Sequence, residues 1–571
     1  MPNNSLFHAI LASVFLSVSC SSSGTGGGAG AAPGAGAPAN TSGAANTSGA
    51  ANTSGAANTS GGSSGMGVAT GGAMPTAGAS TAGGSALGGA PAGGTGGGTQ
   101  GGATGLGGAG GGTAGAGTAG GSSGITVQLD ATHQTIQGFG LNDALVSSTW
   151  STSVLDNLFT TTGPDAIGLQ ILRIGMSTSG GLNGTTQSNL SGAKSRGAKI
   201  IGSCWSPPAN CKSNNSTQDG GHTLTSCYGS WSDTIASFAK SNGLYAMSIG
   251  NEPDFASCGD TEPCNGHYDT TLYTAKEMVA FIKVAGPKLQ ANGVKVIAPE
   301  ASEWVHQWSN ESAKGSVPGN KNSSDPLKCG FPASNAACTT GDGYDYGHFL
   351  AKDADAWKAL DIIGVHEYDS QHAEPWPSDV TATRKEVWET EMSGVKWWPE
   401  QGSGTGSSLK GSDSIDNGVA VAGWIHSALV VGEASAWLWW WYSAYGTDDN
   451  EGLLLKGSNT LTRRYYVLGN YSKFVRPGSI MVSVTGNSST DVLLSAFKGA
   501  TDGSVVVVAI NKGAAAVTLP ITISGGTAPA MMTPNVTSAT DNLKAGTAVP
   551  VTGGVFMAAL PSKTVTTFVG K

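Results

Sequence analysis

The sequence runs to 571 residues with a formal charge of −9 and 89 glycines, 39 of them crowded before position 125. The acidic balance and the lack of any Lys/Arg cluster exclude the electrostatic footprint of a nucleic-acid binder and favour a neutral or weakly polar substrate. Only the span from roughly 125 onward has the composition of a folded core, enough for one large domain and a small one.

Leu6 to Val18 is apolar and helix-capable, the length of a signal-peptide core and too short to cross a membrane. Residues 1–20 are therefore expected to direct export. Cys20, followed at once by a Gly/Ser-rich tether, is a candidate for acylation, which would anchor the protein to a membrane. The expected location is thus secreted or, as a lipoprotein, the outer surface of a bacterium. From 21 to 124 the chain is low in complexity, and the hexad Asn40-Thr41-Ser42-Gly43-Ala44-Ala45 recurs through Ser60. Such composition cannot bury enough apolar surface to offset chain entropy, so a disordered linker is expected.

The segment 125–137 opens with an apolar/polar alternation and is expected to pair with a sheet at the other end of the chain. Eight short apolar runs follow, at 138–142, 169–174, 199–203, 244–249, 294–298, 361–365, 386–388 and 436–441. Helical patterns lie between several of them, the clearest carrying Leu272, Ala275, Met278, Val279 and Ile282 on one face. Strands and helices alternating in this number predict an α/β fold, a (β/α)8 TIM barrel over 138–474. After Pro477, short β-rich runs at 492–494, 505–510, 555–560 and 565–569 are separated by Gly, Asn and Pro. They predict an appended antiparallel β-sandwich over 475–571.

Beyond Cys20 the chain has Cys204, Cys211, Cys227, Cys258, Cys264, Cys329 and Cys338. Export favours disulfides. The short separations predict local staples at Cys258/Cys264 and Cys329/Cys338, with two of the first three cysteines pairing as well. No CxxC pair stands beside a second ligand pair, so no zinc site and no cofactor are expected.

In a parallel barrel the catalytic groups collect where strands run into their following loops. Glu252, in Asn251-Glu252-Pro253-Asp254, and Glu391, in Trp388-Glu389-Thr390-Glu391, each follow an apolar run. Two such carboxylates are what a retaining glycosidase requires: one protonates the leaving oxygen while the other, roughly 5–5.5 Å away, attacks the anomeric carbon. Asn251 is placed to hydrogen-bond the neighbouring sugar hydroxyl. Glu389 and Glu391 are two apart and would share one side of a regular strand, so alternation leaves the nucleophile open between them. Glu300, after Val296-Ile297-Ala298-Pro299, is a third strand-end carboxylate. Arg173 is expected to keep the nucleophile ionised from the barrel interior. His366 and Tyr368 are candidates to line the cleft, Trp205 is expected as an exposed indole on a Pro-stiffened loop, and Trp439 and Trp440 offer further aromatic surface for a sugar ring.

These stretches resemble glycoside hydrolase family 30, in particular its bacterial xylanase branch. The resemblance spans about 125–571 and is carried by Gln134-Thr135-Ile136-Gln137-Gly138-Phe139-Gly140, Leu172-Arg173-Ile174, Trp205-Ser206-Pro207-Pro208-Ala209, Asn251-Glu252-Pro253-Asp254, Ile297-Ala298-Pro299-Glu300, Gly364-Val365-His366-Glu367-Tyr368, Thr390-Glu391 and Ser472-Lys473-Phe474-Val475-Arg476-Pro477-Gly478. It implies a barrel with a side sandwich and a double-displacement mechanism, with Glu391 as nucleophile and Glu252 as acid/base. It also implies that Arg173, Trp205, Asn251, His366 and Tyr368 line or support the reactive subsite. Glucuronoxylan-specific members resemble one another in an arginine after the eighth-strand tryptophans. Here Trp441-Tyr442-Ser443-Ala444-Tyr445-Gly446 has none, and Cys258 to His267 has no obvious family counterpart.

The leading expectation is a monomeric, exported endo-β-1,4-xylanase acting on a xylan-like polysaccharide, glucuronoxylan included. The alternatives are a hydrolase of another β-linked glucan, galactan or glucoside on the same barrel, and a surface carbohydrate-binding protein without turnover.

Overall fold

The computed structural model describes residues 124–145, 148–218, 220–255, 268–309, 343–368, 373–393, 413–443, 452–455 and 458–571. The expected leader, Cys20, the linker and the cysteines at 258, 264, 329 and 338 lie outside them.

An N-terminal strand, β1 (Ile125–Thr135), leads into eight parallel strands: β2 (Gly138–Asn142), β3 (Ile171–Met176), β4 (Lys199–Cys204), β5 (Ala246–Ser248), β6 (Lys295–Ala301), β7 (Ile362–His366), β8 (Glu386–Met392) and β9 (Ala436–Ser443). Each falls on one of the eight expected runs. Strand β9 pairs with both β8 and β2, which closes the barrel. Helices α1 (Thr152–Phe159), α2 (Gln187–Ser195), α3 (Tyr228–Ser241), α4 (Ala275–Gln290), α5 (Tyr346–Lys352), α6 (Ala354–Ala359), α7 (Ile415–Val430) and α8 (Arg463–Ser472) complete the barrel layer. Among the described residues the β7-to-β8 connection has no helix. The expected helix at 272–282 starts later than the pattern suggested. Thr274 caps its N-terminus, accepting from the Glu277 amide while Glu277 reaches back to the Thr274 amide, and Leu272 stays outside.

Both faces of the barrel strands are buried, which is why their sequences read as apolar runs. Ile171, Ile201, Ala246, Ile297, Ile362, Trp388, Ala436 and Leu438 form one layer around the axis. Truncating one of them, for example Ile201→Ala, costs about 2–5 kcal/mol, because such a layer cannot collapse around the hole. Beneath it the Tyr245 ring stacks on Trp388 at 6.1 Å. Above it the inward positions turn polar, and that change marks the mouth. Gly364 is needed there: a Cβ at this position would stand 2.6 Å from Cγ of Glu300.

The second core belongs to β10 (Ile480–Thr485), β11 (Val492–Lys498), β12 (Val505–Asn511), β13 (Val517–Ser524), β14 (Met531–Thr537), β15 (Val555–Leu560) and β16 (Thr564–Gly570). Their order, with two-residue strands left aside, is β14–β16–β12–β11–β10–β1–β13–β15. Strand β1 sits inside this sheet, antiparallel to β10 and parallel to β13, with Ile125, Val127 and Leu129 turned into its core. The sandwich meets the barrel at α8, where the Asn470 amide donates to the Asn535 carbonyl and the Thr567 hydroxyl donates back to the Asn470 carbonyl. Cys211 and Cys227 form a disulfide across the loop after β4, and Cys204 is free and buried.

Candidate active site

Arg173 organises the barrel mouth. It lies two residues beyond Ile171 on β3 and so points to the same side, toward the axis. Nη1 donates to Oδ1 of Asn142 and Oε2 of Glu391, both at 2.8 Å. Nη2 donates to Oδ1 of Asn251 at 2.6 Å and Oε2 of Glu300 at 2.8 Å. The side chain is fully buried. Burial opposes its charge, but Glu300 and Glu391 outweigh that and hold the guanidinium ionised. Glu300 stands at a positive φ of 59° and also accepts from the Ser203 hydroxyl at 2.7 Å. Burial works against its ionisation, yet Arg173 and His366 bring its pKa below the ordinary value. This third carboxylate, considered as an alternative catalyst, is therefore locked as a partner of Arg173.

Glu391 ends β8 with Oε2 on Arg173 and Oε1 accepting from the Tyr368 hydroxyl at 3.2 Å. Burial pushes its pKa up to about 7 against the pull of His366 and Arg173. Glu389 does not share its side. One extra residue in β8 breaks the alternation, and the Glu389 carboxylate turns to the backbone amides of Glu391 and Leu438 instead of the cleft.

Glu252 follows β5 and Asn251, at a positive φ of 46° with its amide donating to the Glu300 carbonyl at 2.9 Å. A glutamate held at such φ is strained by about 1–3 kcal/mol and persists because its surroundings over-determine it. Its Oε1 lies 3.2 Å from Nδ1 of His366, and Oε2 accepts from the Tyr268 hydroxyl at 3.3 Å. Burial, then the nearby charge of Asp254, push the Glu252 pKa up to about 8. Asp254 stays ionised against its own burial because Nδ1 of His306 sits 2.6 Å away and the Ser302 amide and hydroxyl donate to it. Burial pushes His366 down, toward its neutral form. The two glutamates thus have opposite surroundings: a fixed cation touches Glu391, while a fixed anion acts on Glu252.

An oxygen of Glu252, an oxygen of Glu391 and a ring nitrogen of His366 lie within 4.8 Å of one another. That spacing suits two carboxylates acting on one anomeric centre and is too short for a water to sit between them and attack from the far face. The same trio is close enough to share a divalent cation, but the Arg173 guanidinium bound to Glu391 already supplies positive charge there and disfavours a second.

Asn251 gives Oδ1 to Arg173, which leaves Nδ2 as the donor for a sugar hydroxyl. Tyr368 is half-buried beside Glu391. The tryptophans need correction. Trp205 is 3 % exposed, not an open platform. The Arg173 guanidinium lies 5.1 Å from its ring centroid and Trp440 packs at 6.4 Å, so its faces are taken. Trp440 is equally buried, in a cluster with Trp205, Phe255, Tyr268 and Trp441. Trp439 belongs elsewhere: it faces the helix layer, with Arg464 6.0 Å from its ring. Inward Ala436 and Leu438 put Trp437 and Trp439 on the outer face and Trp440 on the inner one, and a register shift between Trp439 and Trp441 lets Trp441 join Trp440 in the mouth cluster.

Sequence reasoning did not single out Asn142, Ser203, Tyr268 or the Asp254–His306 pair. Asn142 had a signal, a polar residue closing an apolar strand. Tyr268 had none, since the sequence before it carries no periodicity.

Residues 478–568 match the glycosyl hydrolase family 30 beta sandwich domain. Over 460 residues the chain is 28 % identical to the glucuronoxylanase XynC of Bacillus subtilis (strain 168), covering 78 % of this chain and 92 % of that protein. The crystal structure of a family 30 endoxylanase from Clostridium papyrosolvens C71 superposes with a TM-score of 0.59 at 27 % identity, covering 78 % of this chain and all of that one. A family 30 subfamily 8 xylanase from Clostridium acetobutylicum, Xyn30A, does so with a TM-score of 0.59 at 25 % identity, over 79 % of this chain and all of that one. Barrel, sandwich and sequence are thus similar to these family 30 xylanases, and residues 478–568 match that family's beta sandwich domain.

Proposed function

We propose that this protein is a retaining endo-β-1,4-xylanase in which Glu391 is the nucleophile and Glu252 the acid/base. The carrying observation is that the two carboxylates approach within 4.8 Å while their neighbours differ in sign. Glu391, on Arg173, attacks the anomeric carbon as a carboxylate. Glu252, kept protonated by burial and Asp254, gives its proton to the departing oxygen. It then takes a proton from the water that releases the glycosyl-enzyme. Asn251 Nδ2 donates to the hydroxyl next to the reacting carbon. The xylan assignment is supported by the names of the relatives, and one chain supplies both carboxylates, so a monomer suffices. With no arginine between Trp441 and Gly446, the glucuronate branch is proposed to be accepted but not required. Export, with Cys20 as the site of an anchoring acyl chain, is proposed from the apolar run before it.

Mass spectrometry of the oligosaccharides released from glucuronoxylan, arabinoxylan and β-1,6-glucan tests the substrate. Xylo-oligosaccharides from both xylans are expected. Release from β-1,6-glucan alone would overturn the assignment, and binding of xylan without new reducing ends would favour the non-catalytic alternative.

A further inference from the structure

We infer that Glu389 and Asn142 are positioning residues that aim Glu391 by filling the two sides of a break in strand β8. The inference rests on Glu391 being the nucleophile. Toward β7, Val365 pairs with Glu389 but His366 with Glu391, so Thr390 is an extra residue. Toward β9, Trp437 pairs with Glu389 and Trp439 with Met392, two steps against three. Both ladders are therefore interrupted at the same place, and a bulge of this kind re-aims the side chain that follows it.

Buried backbone groups at such a break need partners. On the amide side, the Glu391 N–H donates to Oε1 of Glu389 at 3.2 Å and the Leu438 N–H donates to Oε2 at 3.3 Å. One carboxylate thus bridges β8 and β9. On the carbonyl side, Nδ2 of Asn142 donates to the Thr390 carbonyl at 3.2 Å and the Trp439 carbonyl at 3.4 Å. Its Oδ1 accepts from Nη1 of Arg173, the same nitrogen that holds Oε2 of Glu391. Glu389 fixes the nucleophile's peptide, and Asn142 ties the break to the guanidinium that holds the nucleophile's carboxylate. Both side chains are fully buried, so water cannot take over either task.

Gln cannot replace Glu389, because its one oxygen serves one amide and its NH2 opposes the other. A misplacement near 1 Å costs about 10²-fold in rate. Glu389→Gln is expected to lower kcat by about 10–100-fold with KM roughly unchanged. The rate of covalent trapping by an activated 2-deoxy-2-fluoro-xylobioside should fall by the same factor, with the label still on Glu391. Asn142→Ala opens the other side and should act alike. Azide should restore neither variant, since the nucleophile is still present. Wild-type kcat and trapping rate in either folded variant would overturn the inference. A wild-type label on any residue other than Glu391 would overturn the nucleophile assignment instead. If neither variant folds, a crystal structure of the wild type decides: Glu389 beyond hydrogen-bonding distance of both amides would refute it.

Discussion

Arg173→Lys keeps a positive charge at the barrel mouth and removes the fork that distributes it. The guanidinium makes four hydrogen bonds from two nitrogens, two of them to buried carboxylates on opposite sides. An ammonium is a single point on a shorter stem and cannot face Glu391 and Glu300 together with both asparagines. At least one charged contact, worth about 1.5–3 kcal/mol, is lost. The carboxylate left behind is buried without its partner, a situation that costs about 3–5 kcal/mol. A loss of about 3–5 kcal/mol is therefore expected, a large share of the roughly 5–15 kcal/mol typical of a folded protein. Catalysis should suffer separately. With less positive charge on it, Glu391 binds its proton more tightly, and the acid limb of the kcat/KM profile moves to higher pH. Urea unfolding gives the first quantity and pH-dependent hydrolysis of an aryl xylobioside the second. A variant within about 0.5 kcal/mol of wild type, with an unmoved acid limb, would refute the role given to Arg173.

Three further outcomes follow from the same geometry. Asp254→Asn removes the fixed anion that helps raise the Glu252 pKa, so the alkaline limb of kcat/KM should move to lower pH while the acid limb stays; an alkaline limb that moves up or not at all contradicts the assignment. Asp143 and Glu252 are both raised to about 8 by burial, so between the unfolded values near 4 and the folded values near 8 the native state binds more protons than the unfolded chain. Their contribution to stability is present below the lower value and lost as pH rises through the higher one, so the thermal midpoint should fall between about pH 5 and pH 8. Trp439→Ala should cost about 3–5 kcal/mol of stability and leave KM unchanged, because its ring faces the helices; a raised KM with unaltered stability would return it to the cleft.

The barrel was legible because strands buried on both faces are apolar along their whole length, and eight such runs in order admit few other folds. The site was legible only in part. Glu252, Glu391, Arg173, Asn251, His366 and Tyr368 meet at one mouth because each ends, or lies just beyond, an inward-facing strand position. Trp439 was misplaced because an aromatic run does not announce which ring faces the axis. The register shift between Trp439 and Trp441 is a property of the paired backbone and leaves no mark in the residue types. The relation of Glu389 to Glu391 was hidden for the same reason. Residues two apart share a side only while the ladder is regular, and β8 is irregular at Thr390. Of the expected staples, the one within the described residues joins Cys211 to Cys227, Cα atoms 5.6 Å apart, and leaves Cys204 unpaired beneath the mouth.

The most direct measurement is to stop the enzyme half-way. Incubation with an activated 2-deoxy-2-fluoro-xylobioside, proteolysis and peptide sequencing by mass spectrometry should find one sugar unit per chain, on Glu391. Glu391→Gln should carry no label and show no turnover while remaining folded. A label on Glu389 or Glu300, or hydrolysis that inverts the anomeric centre and leaves nothing bound, would contradict the account.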